Sequence, residues 1–120
     1  MIADESPRAV RTIRSCLQEE PAVQIVGTAS DGGEALSMIE KLRPDLVLLD
    51  LDLPGMNGFE IAPRVAAEYP AILVIILTSA DVFSAITKLS KVGVYGIVAK
   101  QDLRRQLPEL LQRILRLPRS

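Results

Sequence analysis

Several short apolar runs in this sequence end in residues that can do chemistry. Asp4-Glu5 follow Met1 to Ala3, Asp50 follows Leu46 to Leu49, Thr78-Ser79 follow Ile72 to Leu77, and Lys100 follows Tyr95 to Ala99. Carboxylates gathered in one place repel one another and raise their own pKa values unless a cation compensates them. A divalent metal and the Lys100 ammonium would supply that compensation. Oxygen ligands with room for water suit Mg2+, which typically joins a protein carboxylate to a phosphate oxygen. The chain has no histidine and a single cysteine, Cys16, so zinc is disfavoured. Asp50 then reads as a carboxylate nucleophile that attacks phosphorus and forms an aspartyl phosphate. Asp4 and Glu5 would hold the metal, Lys100 would pair with Asp50 or a phosphoryl oxygen, and the Thr78 hydroxyl would donate to another.

Taken singly, each of these residues also has a bland reading. Asp4-Glu5 before Ser6-Pro7 are favourable charges at a helix start. Thr78 is an ordinary β-branched strand residue and Lys100 an ordinary surface charge. Asp50, shortly before Pro54-Gly55, marks the end of a strand and a turn. Their joint placement, one at the end of each of several strands, is what favours a site.

The elements that must position them follow from periodicity. Val23 to Ala29, Leu46 to Leu51, Ile72 to Leu77 and Tyr95 to Ala99 are apolar runs without polar alternation, as parallel strands covered on both faces require. Between them the period becomes helical. Ser6-Pro7 opens a helix carrying Val10, Ile13 and Leu17, and Asp31-Gly-Gly-Glu34 reads as a capping box before Ala35, Met38, Ile39 and Leu42. Leu103, Leu107, Leu110, Leu111 and Ile114 form a last apolar face, which Pro108 is expected to kink or delimit. With a first strand at Met1 to Ala3, five β and α units alternate. That pattern predicts one α/β, doubly wound (βα)5 flavodoxin-like domain over 1–120, with a parallel sheet of order 2-1-3-4-5. Strand one is oddly short for an interior strand. Two readings stay open: several residues precede Met1 in the natural protein, or the strand is natively short. Residues 117–120 are the expected start of a linker.

Composition sets the bounds. A chain of 120 residues with 48% hydrophobic content supports one core. With 14 basic and 15 acidic side chains the net charge is -1, which gives no field for direct nucleic-acid or membrane binding by this chain. The lone Cys16 cannot form an internal disulfide and suggests a reducing, cytoplasmic compartment. No apolar run reaches membrane-spanning length.

Over essentially its whole length the sequence resembles the receiver domains of bacterial two-component response regulators. Pro44-Asp-Leu-Val-Leu-Leu-Asp50-Leu-Asp-Leu-Pro-Gly-Met-Asn-Gly58 looks like that family's phosphoacceptor strand and turn, and the spacing from Asp50 to Thr78 and Lys100 matches as well. Asp31 to Leu36 and Gly93 to Lys100 are weaker matches. Gln101 after the lysine is similar to the NarL-type subfamily, whose receivers usually precede a helix-turn-helix DNA-binding domain. The resemblance implies metal ligation by Glu5, Asp50 and the Asp52 carbonyl, with Asp4 in the outer shell, and phosphoryl contacts from Thr78, Lys100 and the Ser79 N–H. It also implies a histidine kinase as partner, a transcriptional output, a homodimer as a candidate assembly, and no turnover enzyme activity beyond the domain's own phosphorylation and dephosphorylation.

This sequence departs from the family's pattern in the switch. Ile97 stands where tyrosine or phenylalanine is usual, and strand alternation expects Tyr95 on the same side as Ile97. Glu5 replaces the more frequent aspartate, and Asp52 adds a further acid. Three other functions compete. A haloacid-dehalogenase-type phosphohydrolase needs an acid two residues after the nucleophile, which Asp52 satisfies, but the chain leaves little room for a substrate pocket. A flavodoxin-like flavin module needs a hydroxyl-rich loop where Asp4-Glu5-Ser6-Pro7 is acidic. The last is a degenerate receiver that acts through protein contacts without phosphorylation.

Overall fold

A computed structural model describes residues 1–118; of the expected linker, residues 119–120 lie outside the described part. Five parallel strands, β1 (Ile2–Ala3), β2 (Thr28–Ala29), β3 (Leu46–Asp50), β4 (Leu73–Thr78) and β5 (Gly96–Ala99), form one sheet of order β2-β1-β3-β4-β5. Helices α1 (Pro7–Gln18), α2 (Gly32–Leu42), α3 (Gly58–Glu68), α4 (Val82–Lys88) and α5 (Leu103–Leu115) connect and follow them. The doubly wound expectation holds in element order and in sheet order.

Strand periodicity divides the core into two layers. Val47 and Leu49 of β3 and Val74 and Ile76 of β4 face Ile39, Ile61, Val65 and Ala85 from α2, α3 and α4. Their neighbours Leu48, Ile75 and Leu77 face Ile13, Leu17, Leu107 and Leu111 from α1 and α5. Consecutive strand side chains point to opposite faces, so a sheet covered on both sides needs the unbroken apolar runs seen in the sequence. Each fully buried Leu or Ile contributes roughly 1.5–3 kcal/mol by leaving water.

Helix starts follow the capping signals. The Ser6 hydroxyl accepts from the Ala9 N–H at 3.2 Å, with Pro7 in the first turn. Asp31 accepts from the Glu34 N–H at 2.8 Å, and Glu34 reaches back to the Ser30 N–H at 3.0 Å. The box thus closes one residue earlier than a reciprocal pair on Asp31 would.

Some boundaries differ from the sequence reading. Of Val23 to Ala29 only Thr28–Ala29 is strand, because β1 offers just Ile2 and Ala3 as ladder partners. Pro108 does not delimit the last helix: α5 runs through it from Leu103 to Leu115. One missing N–H costs a single backbone bond, while Leu103, Leu107 and Leu111 on either side stay anchored in the core.

One close approach fixes the turn after β3. A Cβ on Gly58 would lie 2.8 Å from the Leu51 Cα and 3.0 Å from the Asp50 carbonyl oxygen. Both are backbone atoms, so the strand end would have to move. Gly93, by contrast, has nothing within 4 Å of such a Cβ. Urea unfolding should show Gly58→Ala losing ~1–3 kcal/mol and Gly93→Ala changing by less than about 0.5 kcal/mol; equal losses would remove this packing argument.

Candidate functional site

The carboxyl ends of β1, β3, β4 and β5 meet at one edge of the sheet, so the residues that close those strands come together. Asp4 directly follows β1 and is 3% exposed, Asp50 ends β3 at 2%, and Thr78 ends β4 at 1%. They are the buried polar side chains of the described residues. Lys100 follows β5 at the start of a 3-10 turn over Lys100–Asp102. Its ammonium lies 2.8 Å from Asp4 Oδ2 and 3.1 Å from Asp50 Oδ2.

Backbone donors aim the carboxylates. The Ser6 N–H donates to Asp4 Oδ1 at 2.9 Å, and the Asp52 N–H donates to Asp50 Oδ1 at 3.0 Å. The Thr78 hydroxyl oxygen accepts from the Ala80 N–H at 3.0 Å, which leaves its proton free to donate elsewhere. Asp4 Oδ2 is buried and faces the Lys100 ammonium at 2.8 Å, with no further donor reaching it among the described residues. An anionic oxygen in that state keeps lone pairs for a hard cation.

Burial pushes the Asp4 carboxyl above its ordinary value, against the opposing pull of Lys100 and the Ser6 N–H. Burial alone would lower Lys100, but its hydrogen bonds and charge attraction to Asp4 and Asp50 outweigh it and raise the ammonium above its usual value. The lysine is therefore charged throughout the neutral range.

The other expected site residues are placed less tightly. Glu5, Asp52 and Ser79 are exposed. Among the described residues no group of three or more acidic, histidine or cysteine side chains is close enough to hold a metal ion. Asp4 and Asp50 are thus gathered, while the Glu5 side chain is in solvent; Asp52, expected to ligate through its backbone carbonyl, also has an exposed side chain. Sequence reading missed the positioning donors Ser6 and Ala80. A signal for the first existed, since Asp followed two residues on by a helix-capping Ser is an Asx-turn pattern.

The switch pair requires a correction. Ile97 packs with the α2, α3 and α4 layer, whereas Tyr95 packs against the opposite cluster, that of Ile13, Leu107 and Leu111 from α1 and α5. The two are on opposite faces, not the same one. The cause is local: β5 begins only at Gly96, and the Val94 N–H turns back to the Val92 carbonyl at 2.8 Å, so strand alternation does not extend to Tyr95.

A buried acid at the end of β3, held by a lysine after β5 and flanked by a hydroxyl at the end of β4, is the arrangement of a phosphoryl-accepting signalling domain. The sequence pattern of the response regulator receiver domain matches residues 1–112, and the chain belongs to that family. Its members take up a phosphoryl group and switch conformation. The chain is 37% identical over 78 residues to a protein-glutamate methylesterase/protein-glutamine glutaminase of Myxococcus xanthus, covering 65% of this chain and 22% of that protein. It therefore spans about a fifth of that relative's length. Among solved structures it resembles the receiver domain of the putative response regulator NarL from Mycobacterium tuberculosis, with a TM-score of 0.84, 26% identity, and 94% and 91% of the two chains covered. A LuxR-family two-component response regulator from Aurantimonas gives a TM-score of 0.85 at 28% identity, covering 96% of this chain and 82% of the other. No described helix is long and apolar enough to cross a membrane.

The charge balance of the site is open to test. An acid raised by folding favours the folded state in its protonated form. That contribution is complete below the ordinary carboxyl value of 3.8 and is lost as pH rises through the higher folded-state value. Removing the ammonium deepens that loss. Lys100→Met should therefore cost ~1–3 kcal/mol near neutral pH and less at about pH 4, measured by denaturant unfolding; a deficit independent of pH would show that charge is not its cause.

Proposed function

We propose that Asp50 is the phosphoacceptor of this receiver and that Lys100 and Thr78 stabilise the phosphoryl group as it transfers. The supporting observation is the Lys100 ammonium bound at once to two buried carboxylates, only one of which, Asp50, ends an interior strand beside Thr78. One Asp50 oxygen attacks phosphorus, a new P–O bond forms, and the donor's bond to phosphorus breaks. A phosphohistidine donor leaves as imidazole and takes up a proton; an acyl phosphate donor leaves as carboxylate. Lys100 then follows the charge from the Asp50 carboxylate to a phosphoryl oxygen, and the Thr78 hydroxyl and Ser79 N–H donate to others.

Mg2+ is the metal that fits the donor set, with Asp4 and Asp50 as the buried oxygen ligands, the Asp52 carbonyl beside them, and Glu5 at the rim. When bound, it neutralises charge on the phosphoryl oxygens. Burial holds Asp4 and Asp50 in place before the metal or the phosphoryl group arrives.

The partner we assign is a histidine kinase, or a small phosphodonor in its place, in the cytoplasm. The output lies in a further domain or separate protein. Likeness to the NarL and LuxR-family receivers favours transcriptional output through a helix-turn-helix domain, while likeness to methylesterases favours an enzymatic one. The receiver itself is not a turnover enzyme, and a second copy of the chain is a candidate assembly. With Ile97 on the α4 side and Tyr95 on the α5 side, movement of Thr78 would be relayed by aliphatic repacking of Ile97 and not by rotation of an aromatic ring.

Incubation with acetyl phosphate and Mg2+ should add one acid-labile phosphoryl group by intact mass, and Asp50→Asn should abolish it. No gain by a folded chain would favour the degenerate receiver, and continuous release of phosphate from a generic ester the hydrolase. Asp52, exposed beside the acceptor, is placed to repel or orient the water that hydrolyses the acyl phosphate. Asp52→Asn should change the half-life of the phosphorylated chain; identical half-lives would remove that role.

A further inference from the structure

Charge is segregated on this molecule although its sum is close to zero. α1 carries Arg8, Arg11 and Arg14 and no acid, and α5 carries Arg104, Arg105 and Arg113 against Glu109 alone. The two helices pack on the same face of the sheet. Where they begin, they flank a cleft of about 620 Å³ lined by Ser6, Arg8, Thr12 and the stretch from Lys100 to Arg105. That is room for a small organic ligand.

Three arginines give the cleft its charge. Arg8 and Thr12, one helical turn apart, share the α1 face that borders it, whereas Arg11 borders a different hollow beside Glu5 and Glu34. Burial pushes the Cys16 thiol up and the Arg104 charge pulls it back down, so Arg104 acts across the helix pair onto α1. Arg105 lies 3.6 Å from Asp102, the one acid lining the cleft among the described residues, and its side chain remains 72% exposed. Lys100 borders the cleft as well, but its ammonium is already held by Asp4 and Asp50. Three guanidiniums against one carboxylate leave an excess of two positive charges. Glu19 and Glu20 do not offset it, since they follow the far end of α1, where Gln112 donates to Glu20. The start of α5 adds to the field. Ser6, Asp31, Asn57 and Asp81 cap α1, α2, α3 and α4 through their side chains, but neither the Lys100–Asp102 turn nor α5 has such a cap. The partial positive charge of that helix start borders the cleft without a side-chain acceptor.

We propose that this cleft is a binding site for a diphosphate group, either inorganic diphosphate or that of a nucleotide, distinct from the phosphoryl site at Asp50. Guanidinium groups pair bidentately with phosphate oxygens. Three of them around one cleft offer more donors than a single phosphate uses, and two linked phosphates match both their number and the excess charge. Arg8 approaches from α1 while Arg104 and Arg105 approach from α5, so the ligand bridges the two helix starts. The Ser6, Thr12 and Gln101 side chains are the polar groups left to meet whatever the diphosphate carries. Asp50 does not line the cleft, so binding there requires neither the phosphoacceptor nor Mg2+.

The test is a titration of the chain with inorganic diphosphate and with ADP, in EDTA at fixed ionic strength, followed by calorimetry and by backbone amide shifts. Saturable binding of one equivalent is expected, with the shifts centred on Arg8, Thr12, Gln101 and Arg104. Arg8 and Arg104 are exposed, so the Arg8→Gln/Arg104→Gln variant keeps its core and should bind about tenfold more weakly or worse. Arg64→Gln/Lys91→Gln removes the same charge elsewhere and should bind within about twofold of the parent. Tighter binding of ADP assigns the diphosphate to a nucleotide, and equal binding assigns it to the inorganic ion; either supports the site. Absence of saturable binding, equal weakening by the two variants, or shifts centred on Asp52 and Ala80 overturns the proposal. Tighter binding of duplex DNA at the same arginines also overturns it, by assigning the cleft to a nucleic-acid backbone.

Discussion

The Lys100 ammonium, within 3.1 Å of both Asp4 and Asp50, is the interaction on which this structure depends. Two carboxylates almost completely removed from water cannot share one pocket as anions without a cation between them. Lysine supplies the charge on a flexible stem, so it can follow the negative charge when that charge moves to a phosphoryl group. The fold serves this contact. Parallel strands place the end of β1, the end of β3 and the start of the turn after β5 on one edge, and the doubly wound connections bring sequence positions as distant as Asp4 and Lys100 into contact.

The rest of the site is held by constraints on the backbone. Ser6, Asp52 and Ala80 turn their N–H groups back onto Asp4, Asp50 and Thr78, so each functional side chain is aimed by a backbone donor, and the second oxygen of each carboxylate faces Lys100. Gly58 lets α3 start against the Asp50 carbonyl, and the α2 start is tied to the same loop by the Gly32 N–H donating to the Pro54 carbonyl at 3.0 Å. The loop after the acceptor is therefore anchored at both of its neighbours. Exposed Asp52 and Ser79 stand at the rim, where a phosphodonor and water must arrive.

Much of this was legible in the sequence because it rests on period and position. Unbroken runs such as Leu46 to Leu49 announce a parallel strand, and an acid, hydroxyl or lysine closing each run falls at one edge once the order is 2-1-3-4-5. Ser6-Pro7 and Asp31 to Glu34 announce their helices by local hydrogen-bond chemistry. What was not legible depends on partners distant in sequence. The segment from Val23 reads as strand, yet becomes one only at Thr28, where β1 supplies a ladder. Tyr95 and Ile97 have the spacing of one face, but the turn at Val92 to Val94 reverses that relation. The exposure of Glu5, beside a buried Asp4, depends on how the chain leaves β1 to start α1, which spacing does not encode.

The account stands on Asp50, and not the equally buried Asp4 or the nearby Asp52, being the atom donor to phosphorus. Borohydride reduces an aspartyl phosphate to homoserine at the residue that carried it, so trapping the chain after treatment with acetyl phosphate and Mg2+, then sequencing its peptides, reads the acceptor directly. Homoserine at position 50 is the predicted result. Homoserine at position 4 or 52, with aspartate intact at 50, would contradict it.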